Sequence, residues 1–237
     1  MGFRQHQFGE CLIVGHRGAA GLAPENTLPG FELAVGLGVD AIELDVHWAH
    51  DELWVIHDAS LDRTTNAKGR LCDQPPEFLR QVDAGGGAGI PTLAEVMAAI
   101  PPHVGINIEL KGPGCAAPLA DYLRRERGGQ GSRDLLVSAF AHADLARLHQ
   151  LCPEIPVAPL FSRWRADAWV VAAQLQAWSV NLAARLVTRK RTAAAHARGL
   201  RVLAYTVNDR AVAERLAGYE VDGIFTDYPD GRLRVDD

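Results

Sequence analysis

Residues 11–46 read CLIVGHRGAAGLAPENTLPGFELAVGLGVDAIELDV, and this stretch decides the fold. An apolar run at 11–14 gives way to a turn rich in Gly, Ala and Pro. Residues 27–36 then carry apolar positions at helical spacing, and 41–46 form a second apolar, strand-like run. That is one βα unit and the start of the next. The unit recurs down the chain. Further strands are expected at 105–110, 135–138, 157–160, 178–182, 201–205 and 223–226, with helices at 93–99, 116–125, 144–151, 188–198 and 209–217. Eight strands alternating with helices in 237 residues predict an α/β protein of the TIM (β/α)8 barrel class rather than a doubly wound sheet.

The alternation breaks between 46 and 93. A ninth strand-like run at 53–57 is followed by a polar stretch ending in GGGAGIPT, residues 85–92. A small insertion after strand two, approximately 58–90, is therefore expected. The glycines Gly85, Gly86, Gly87 and Gly89 lack the Lys-Ser/Thr of a phosphate-binding loop and run into Pro91, so they read as a flexible connector. The run RRERGGQGSR, residues 124–133, mixes charge signs around glycines and reads as a solvated loop. No linker divides the chain, and 1–237 is expected to form one barrel domain.

Composition narrows the function. The 48% hydrophobic content supports one large core, and a net charge of −5 provides no basic field to gather nucleic acid or anionic lipid. Any phosphate recognition belongs in a pocket. Cys11, Cys72, Cys115 and Cys152 are scattered without metal-binding or disulfide spacing, which fits a reducing compartment. The opening MGFRQHQFGE has no apolar core of a signal peptide, and no apolar run is long enough to span a bilayer. A cytoplasmic protein with no membrane insertion is expected.

In such a barrel the active site lies at the C-terminal ends of the strands. Chemically capable residues collect there. His16 and Arg17 follow strand one, Glu43 and Asp45 lie near the end of strand two, His57 and Asp58 follow the extra strand, and Glu109 and Lys111 end the next. Residues two apart on a strand share a face, so Glu43 accompanies Asp45 and Glu109 accompanies Lys111. If these faces look into the mouth, three carboxylates converge and call for compensation. A hard divalent cation, Mg2+ or Ca2+, suits all-oxygen ligands; ion pairing with Lys111 and Arg17 is the alternative. Two histidines at one rim can pass protons to and from a reacting group, and an arginine fork suits phosphate oxygens. Trp48, Trp54, Phe140 and Tyr205 are expected either to wall the pocket or to pack the barrel, with nothing to choose between the two for any one of them. His6, His47, His50, His103, His142, His149 and His196 fall in expected tails, helices or loops and read as solvated or structural.

Taken in order, GHRG-x5-PENT, IELDV, the HD of VIHD, IPTL, NIELK, SAF, YTVN and GIFTDYP resemble the glycerophosphodiester phosphodiesterase family. The resemblance runs from strand one to strand eight of the barrel. It implies a TIM barrel with a small insertion, a divalent metal ion, and hydrolysis of a small-molecule glycerophosphodiester to sn-glycerol 3-phosphate and an alcohol. Carried over residue by residue, it implies His16 and His57 as the acid/base pair; which is base and which acid stays open, and His16 is taken first as the base. Arg17 and Lys111 would lie on the phosphate, and Glu43, Asp45 and Glu109 would be metal ligands. Glu25 and Asn26 would shape the glycerol end, and Phe140 and Tyr205 the substrate pocket. Tyr205 departs from the tryptophan usual before Thr-Val-Asn, which bears on alcohol-side preference. Two other classes fit parts of the pattern. A metal-dependent lyase or aldolase on a barrel has no need of two histidines beside phosphate, and a non-catalytic phosphoester-binding descendant would be expected to have lost one of these residues.

Overall fold

The structure, a computed structural model, describes residues 3, 6–8, 10–127, 133–231 and 233. Among these, the strands are β1 (Leu12–Gly15), β2 (Ala41–Ala49), β3 (Glu52–Val55), β4 (Gly105–Leu110), β5 (Leu135–Ala139), β6 (Val157–Phe161), β7 (Ser179–Ala183), β8 (Arg201–Tyr205) and β9 (Gly223–Thr226). The helices are α1 (Leu28–Gly36), α2 (Pro76–Leu79), α3 (Leu93–Ala99), α4 (Ala116–Arg127), α5 (His142–Leu151), α6 (Ala168–Gln174), α7 (Arg189–His196) and α8 (Arg210–Ala217). All strands but β3 pair in parallel, in the order β1-β9-β8-β7-β6-β5-β4-β2, and pairing of Val14 with Ala41 closes the ring. This is the TIM barrel expected.

Strand parity sorts the core into two layers. Ile42, Leu44, Val46, Ile106 and Ile108 point outward and pack beneath the helices with Phe31, Ala34, Leu119 and Leu145. Leu12, Val14, Ala41, Leu136, Ala158, Leu203 and Phe225 fill the interior, where Phe3 joins them, 1% exposed. Phe3 seats against Gly105, where an added Cβ would lie 3.1 Å from its ring. The barrel interior below the strand C-termini is thus largely packed with hydrocarbon.

The expected insertion is present and better packed than its polar sequence suggests. β3 pairs antiparallel with the extension of β2, Val46 opposite Val55. Beneath the segment that follows, Trp54, Ile56, Leu61, Leu71, Leu79, Val82 and Ile90 form a second apolar cluster. The Gly-rich segment is a hydrogen-bonded turn rather than an open connector. Asp83 Oδ1 accepts from Gly85 N at 2.7 Å and Gly87 N at 3.1 Å, and Gly85, Gly86 and Gly87 all take positive φ.

Other expectations need correction. Residues 124–127 continue α4 instead of beginning a loop, and Arg133 donates to the carbonyls of Ile100 and Met97 instead of standing in solvent; 128–132 lie outside the described residues. Mixed charges on one helix face carry the helix further than loop-like composition suggests. α6 has no counterpart in the sequence reading. Its AWVVAAQ run is short and interrupts Ala and Gln with Trp and two Val, and burial of Ala168 and Ala172 one turn apart against the barrel helps hold it. No helix among the described residues is long and apolar enough to cross a membrane.

Candidate active site

The loop from β1 to α1 carries His16, Arg17, Glu25 and Asn26, and its shape depends on unusual backbone. Arg17 and Asn26 have φ of 50° and 56°, sparsely populated for residues with a side chain. Asn26 N donates to Arg17 O at 3.1 Å, and Arg17 N donates to Glu43 Oε2 at 2.8 Å, so the loop is tied to β2. Gly18, at φ 84°, lies so close to α1 that a Cβ would fall 2.7 Å from the Gly30 carbonyl. Thr27 caps α1 by accepting from Gly30 N at 3.2 Å.

β2 and β4 bring the three expected carboxylates together. Asp45 pairs directly with Glu109, and Glu43 points to the same interior side as Asp45. Carboxylate oxygens of Glu43, Asp45 and Glu109 lie within 4.8 Å of one another, all three residues buried. Lys111 Nζ sits 2.5 Å from Glu109 Oε1 and 3.2 Å from Asp45 Oδ1, and Arg17 Nε sits 3.3 Å from Asp45 Oδ2. Asn26 Nδ2 donates to Asp45 Oδ2 at 2.8 Å.

These cations do not neutralise the cluster. Burial, reinforced by the charges of Asp45 and Glu109, pushes Glu43 well above the usual carboxylate range. Burial and then Asp45 push Glu109 up to about 7. Only Asp45 stays below its ordinary value, because Lys111 and Arg17 outweigh its burial. Glu43 Oε1, Asp45 Oδ1 and Glu109 Oε1 accept no well-formed hydrogen bond, although Lys111 lies against the last two. Buried acceptors left in this state cost free energy. Three such oxygens facing one another fit a hard divalent cation.

The two histidines flank this cluster, each with a carboxylate at its back. His16 Nδ1 lies 2.6 Å from Asp227 Oδ1, and Asn208 Nδ2 donates to the other Asp227 oxygen at 2.5 Å. His57 Nδ1 lies 2.6 Å from Asp58 Oδ1, and Arg63 Nε donates to Asp58 Oδ2 at 2.6 Å. Engagement of Nδ1 leaves Nε2 of each ring for chemistry. Burial draws His57 below its usual pKa, while the Arg63 hydrogen bond holds Asp58 far down the carboxylate range. Asp227 also stays below its ordinary value, its bond to His16 outweighing burial.

His16, Arg17, Glu43, His57, Glu109 and Lys111 line one cavity of about 250 Å3, with Phe140 and Tyr205 also in its wall. The two rings meet edge to face, centroids 6.0 Å apart. Trp48 and Trp54 are elsewhere. Trp48 lines a separate cavity of about 140 Å3 together with Leu53, its partner across the β2–β3 ladder, and Trp54, opposite His47 on the other face, is fully buried beneath the insertion. His47, expected in a tail, helix or loop, is part of β2, and its Nε2 lies 3.0 Å from the His57 carbonyl oxygen.

Asp227, Asn208, Asp58 and Arg63 complete the arrangement without having been singled out as site residues. Asp58 is the neighbour of His57, and Asp227 stands in the quoted GIFTDYP, so both were visible without an assigned task. Arg63 belongs to an insertion with no periodicity to place it.

Comparison with known proteins agrees with this geometry. Residues 16–231 match the model of the glycerophosphoryl diester phosphodiesterase family. The glycerophosphodiester phosphodiesterase of Bacillus altitudinis is 35% identical over 94% of this chain and 97% of its own length. That of Caldanaerobacter subterraneus subsp. tengcongensis is 31% identical over 95% and 98%. The structure of an Oleispira antarctica phosphodiesterase in complex with the product sn-glycerol-3-phosphate superposes with a TM-score of 0.87. It is 29% identical and covers 93% of this chain and 94% of that one.

Proposed function

Since the chain belongs to the glycerophosphoryl diester phosphodiesterase family, we propose that it hydrolyses glycerophosphodiesters to sn-glycerol 3-phosphate and an alcohol, with a divalent ion at Glu43, Asp45 and Glu109. One observation carries this reading. Two carboxylate-backed histidines face a buried three-carboxylate cluster across a single cavity that also contains Arg17. A bound divalent ion would supply Lewis-acid charge at the phosphate and favour ionisation of the attacking hydroxyl. The unsatisfied carboxylate oxygens support that ligand set; Mg2+ and Ca2+ suit it equally.

The protein's own groups then divide the work. Arg17 and Lys111 hold the phosphate oxygens, while Glu25 and Asn26 fix the loop that brings Arg17 into place. His57, held below its ordinary pKa by burial, starts neutral and takes the proton from the attacking hydroxyl. His16, its Nδ1 engaged by Asp227, delivers a proton from Nε2 to the departing alcohol. This reverses the order first read from the sequence. The 2-hydroxyl of the glycerol is the favoured nucleophile because it is tethered beside phosphorus. Its attack expels the alcohol and leaves a cyclic glycerol phosphate, which water opens with the histidines exchanging roles. Phe140 and Tyr205 are placed to meet the alcohol side.

Glycerophosphocholine incubated with the protein and Mg2+ or Ca2+ should release free choline and glycerol 3-phosphate. Absence of both, across several head groups, would refute the activity. A substrate lacking only the 2-hydroxyl should bind yet turn over slowly, and turnover at the normal rate would establish direct attack by water. A lyase or aldolase would leave the diester intact.

A further inference from the structure

Arg63 lines no part of the cavity, yet its guanidinium reaches both sides of it. Nε donates to Asp58 Oδ2 at 2.6 Å and Nη2 to Asp58 Oδ1 at 3.3 Å. Nη1 donates to Glu25 Oε2 at 2.9 Å and Nη2 to Glu25 Oε1 at 2.8 Å. Each carboxylate is also engaged inward. Asp58 lies against His57 Nδ1, and Glu25 accepts from Arg17 Nη1 at 2.8 Å. One planar fork therefore backs a histidine on the insertion and an arginine on the β1–α1 loop.

The turn presenting Arg63 is itself anchored. Leu61 is fully buried in the insertion's apolar cluster, its N donates to Gly69 O at 2.9 Å, and Thr65 Oγ1 donates to its carbonyl at 2.7 Å. A single exposed ion pair contributes little. A bidentate contact to Glu25 with two further bonds to Asp58 constrains geometry as well as charge, and a lysine ammonium cannot reproduce that fork.

We propose that Arg63 is a positioning residue that clamps Asp58 and Glu25 together and thereby sets the orientation of His57 and Arg17 as a pair. Residues of the insertion would then govern proton transfer and phosphate binding at once. The inference rests on the reading that this cavity cleaves glycerophosphodiesters. A simple staple between insertion and barrel would contribute to stability and nothing more.

Steady-state kinetics with glycerophosphocholine and metal, alongside thermal melting, separate the two for wild type, Arg63→Gln, Asp58→Asn, Glu25→Gln and the two doubles containing Arg63→Gln. Arg63→Gln should melt as the wild type does, yet lose kcat and gain KM by about ten- to a hundredfold each, the scale of misplaced reacting groups. Asp58→Asn should reproduce mainly the kcat loss and Glu25→Gln mainly the KM rise. Each double should be little worse than its more impaired single variant, because residues acting through one network are not additive. Wild-type kcat and KM in Arg63→Gln, or effects that multiply in the doubles, would overturn the proposal. If Arg63→Gln does not fold, Arg63→Lys decides: loss in both constants supports the clamp and wild-type constants overturn it. Lack of turnover by the wild type would instead overturn the assigned activity.

Discussion

At the scale of single residues, the site depends on pairs in which one group sets the state of another. His16 has Asp227 and His57 has Asp58, so removing either imidazole takes away a proton-transfer step while the surrounding packing stays intact. His16→Ala and His57→Ala should each lose about a hundred- to ten-thousandfold in turnover, with circular dichroism and melting unchanged. Near-normal turnover in either would remove that histidine from the mechanism. The burial of His57 gives a second test. Its folded pKa lies below the usual 6.5, so as pH falls through that value the unfolded chain takes up a proton that the folded imidazole refuses. This group therefore withdraws stability on acidification, and nuclear magnetic resonance titration should find its midpoint below 6.5. A midpoint above would contradict the burial described for it.

At the scale of elements, the β1–α1 loop shows how backbone shape delivers chemistry. Gly18→Ala places a methyl group at φ 84° against the Gly30 carbonyl, with an expected loss of roughly 1–3 kcal/mol by chemical denaturation. The same change should lower kcat/KM, since the loop carries Arg17 and Asn26; an unaltered kcat/KM would detach the loop from function. Elements also show what the sequence made legible. All nine strands were placed to within a few residues, because apolar runs bounded by Gly and Pro mark strands whose two faces are both buried. Glu43, Asp45, Glu109 and Lys111 were legible as a group because the two-residue period of a strand fixes which side chains face together. The pairings of Arg63 and Asp227 were not, since they join segments far apart in sequence through irregular backbone. α6 escaped because packing rather than propensity holds it. Whether Trp48 and Trp54 wall the pocket or pack elsewhere was not legible, because an aromatic near a strand end carries no mark of the face it takes.

At the scale of the whole molecule, the barrel gathers three buried carboxylates at its mouth, where the proposed metal ion and protons would compete for them. Burial and then the charge of Asp45 push Glu109 up to about 7, and burial raises Glu43 as well. The metal-free fold thus retains protons that the unfolded chain releases, and loses that advantage as pH rises. Because a metal ion must displace those protons, the rise in melting temperature that Mg2+ or Ca2+ produces should grow between about pH 6 and about pH 8. A shift independent of pH would mean that the ion sits elsewhere, and full turnover after exhaustive chelation would eliminate it from the mechanism. The other end of the barrel has a consequence of its own. With Phe3 set among Leu12, Val14, Leu203 and Phe225, the described residues plug the barrel below the cavity, which is a cul-de-sac. Arrivals and departures share it, so a glycerol 3-phosphate that has not yet left bars the next diester from entering. Inhibition by that product should therefore be competitive, raising KM while kcat holds, and a purely noncompetitive pattern would mean that product and diester do not exclude one another from this cavity.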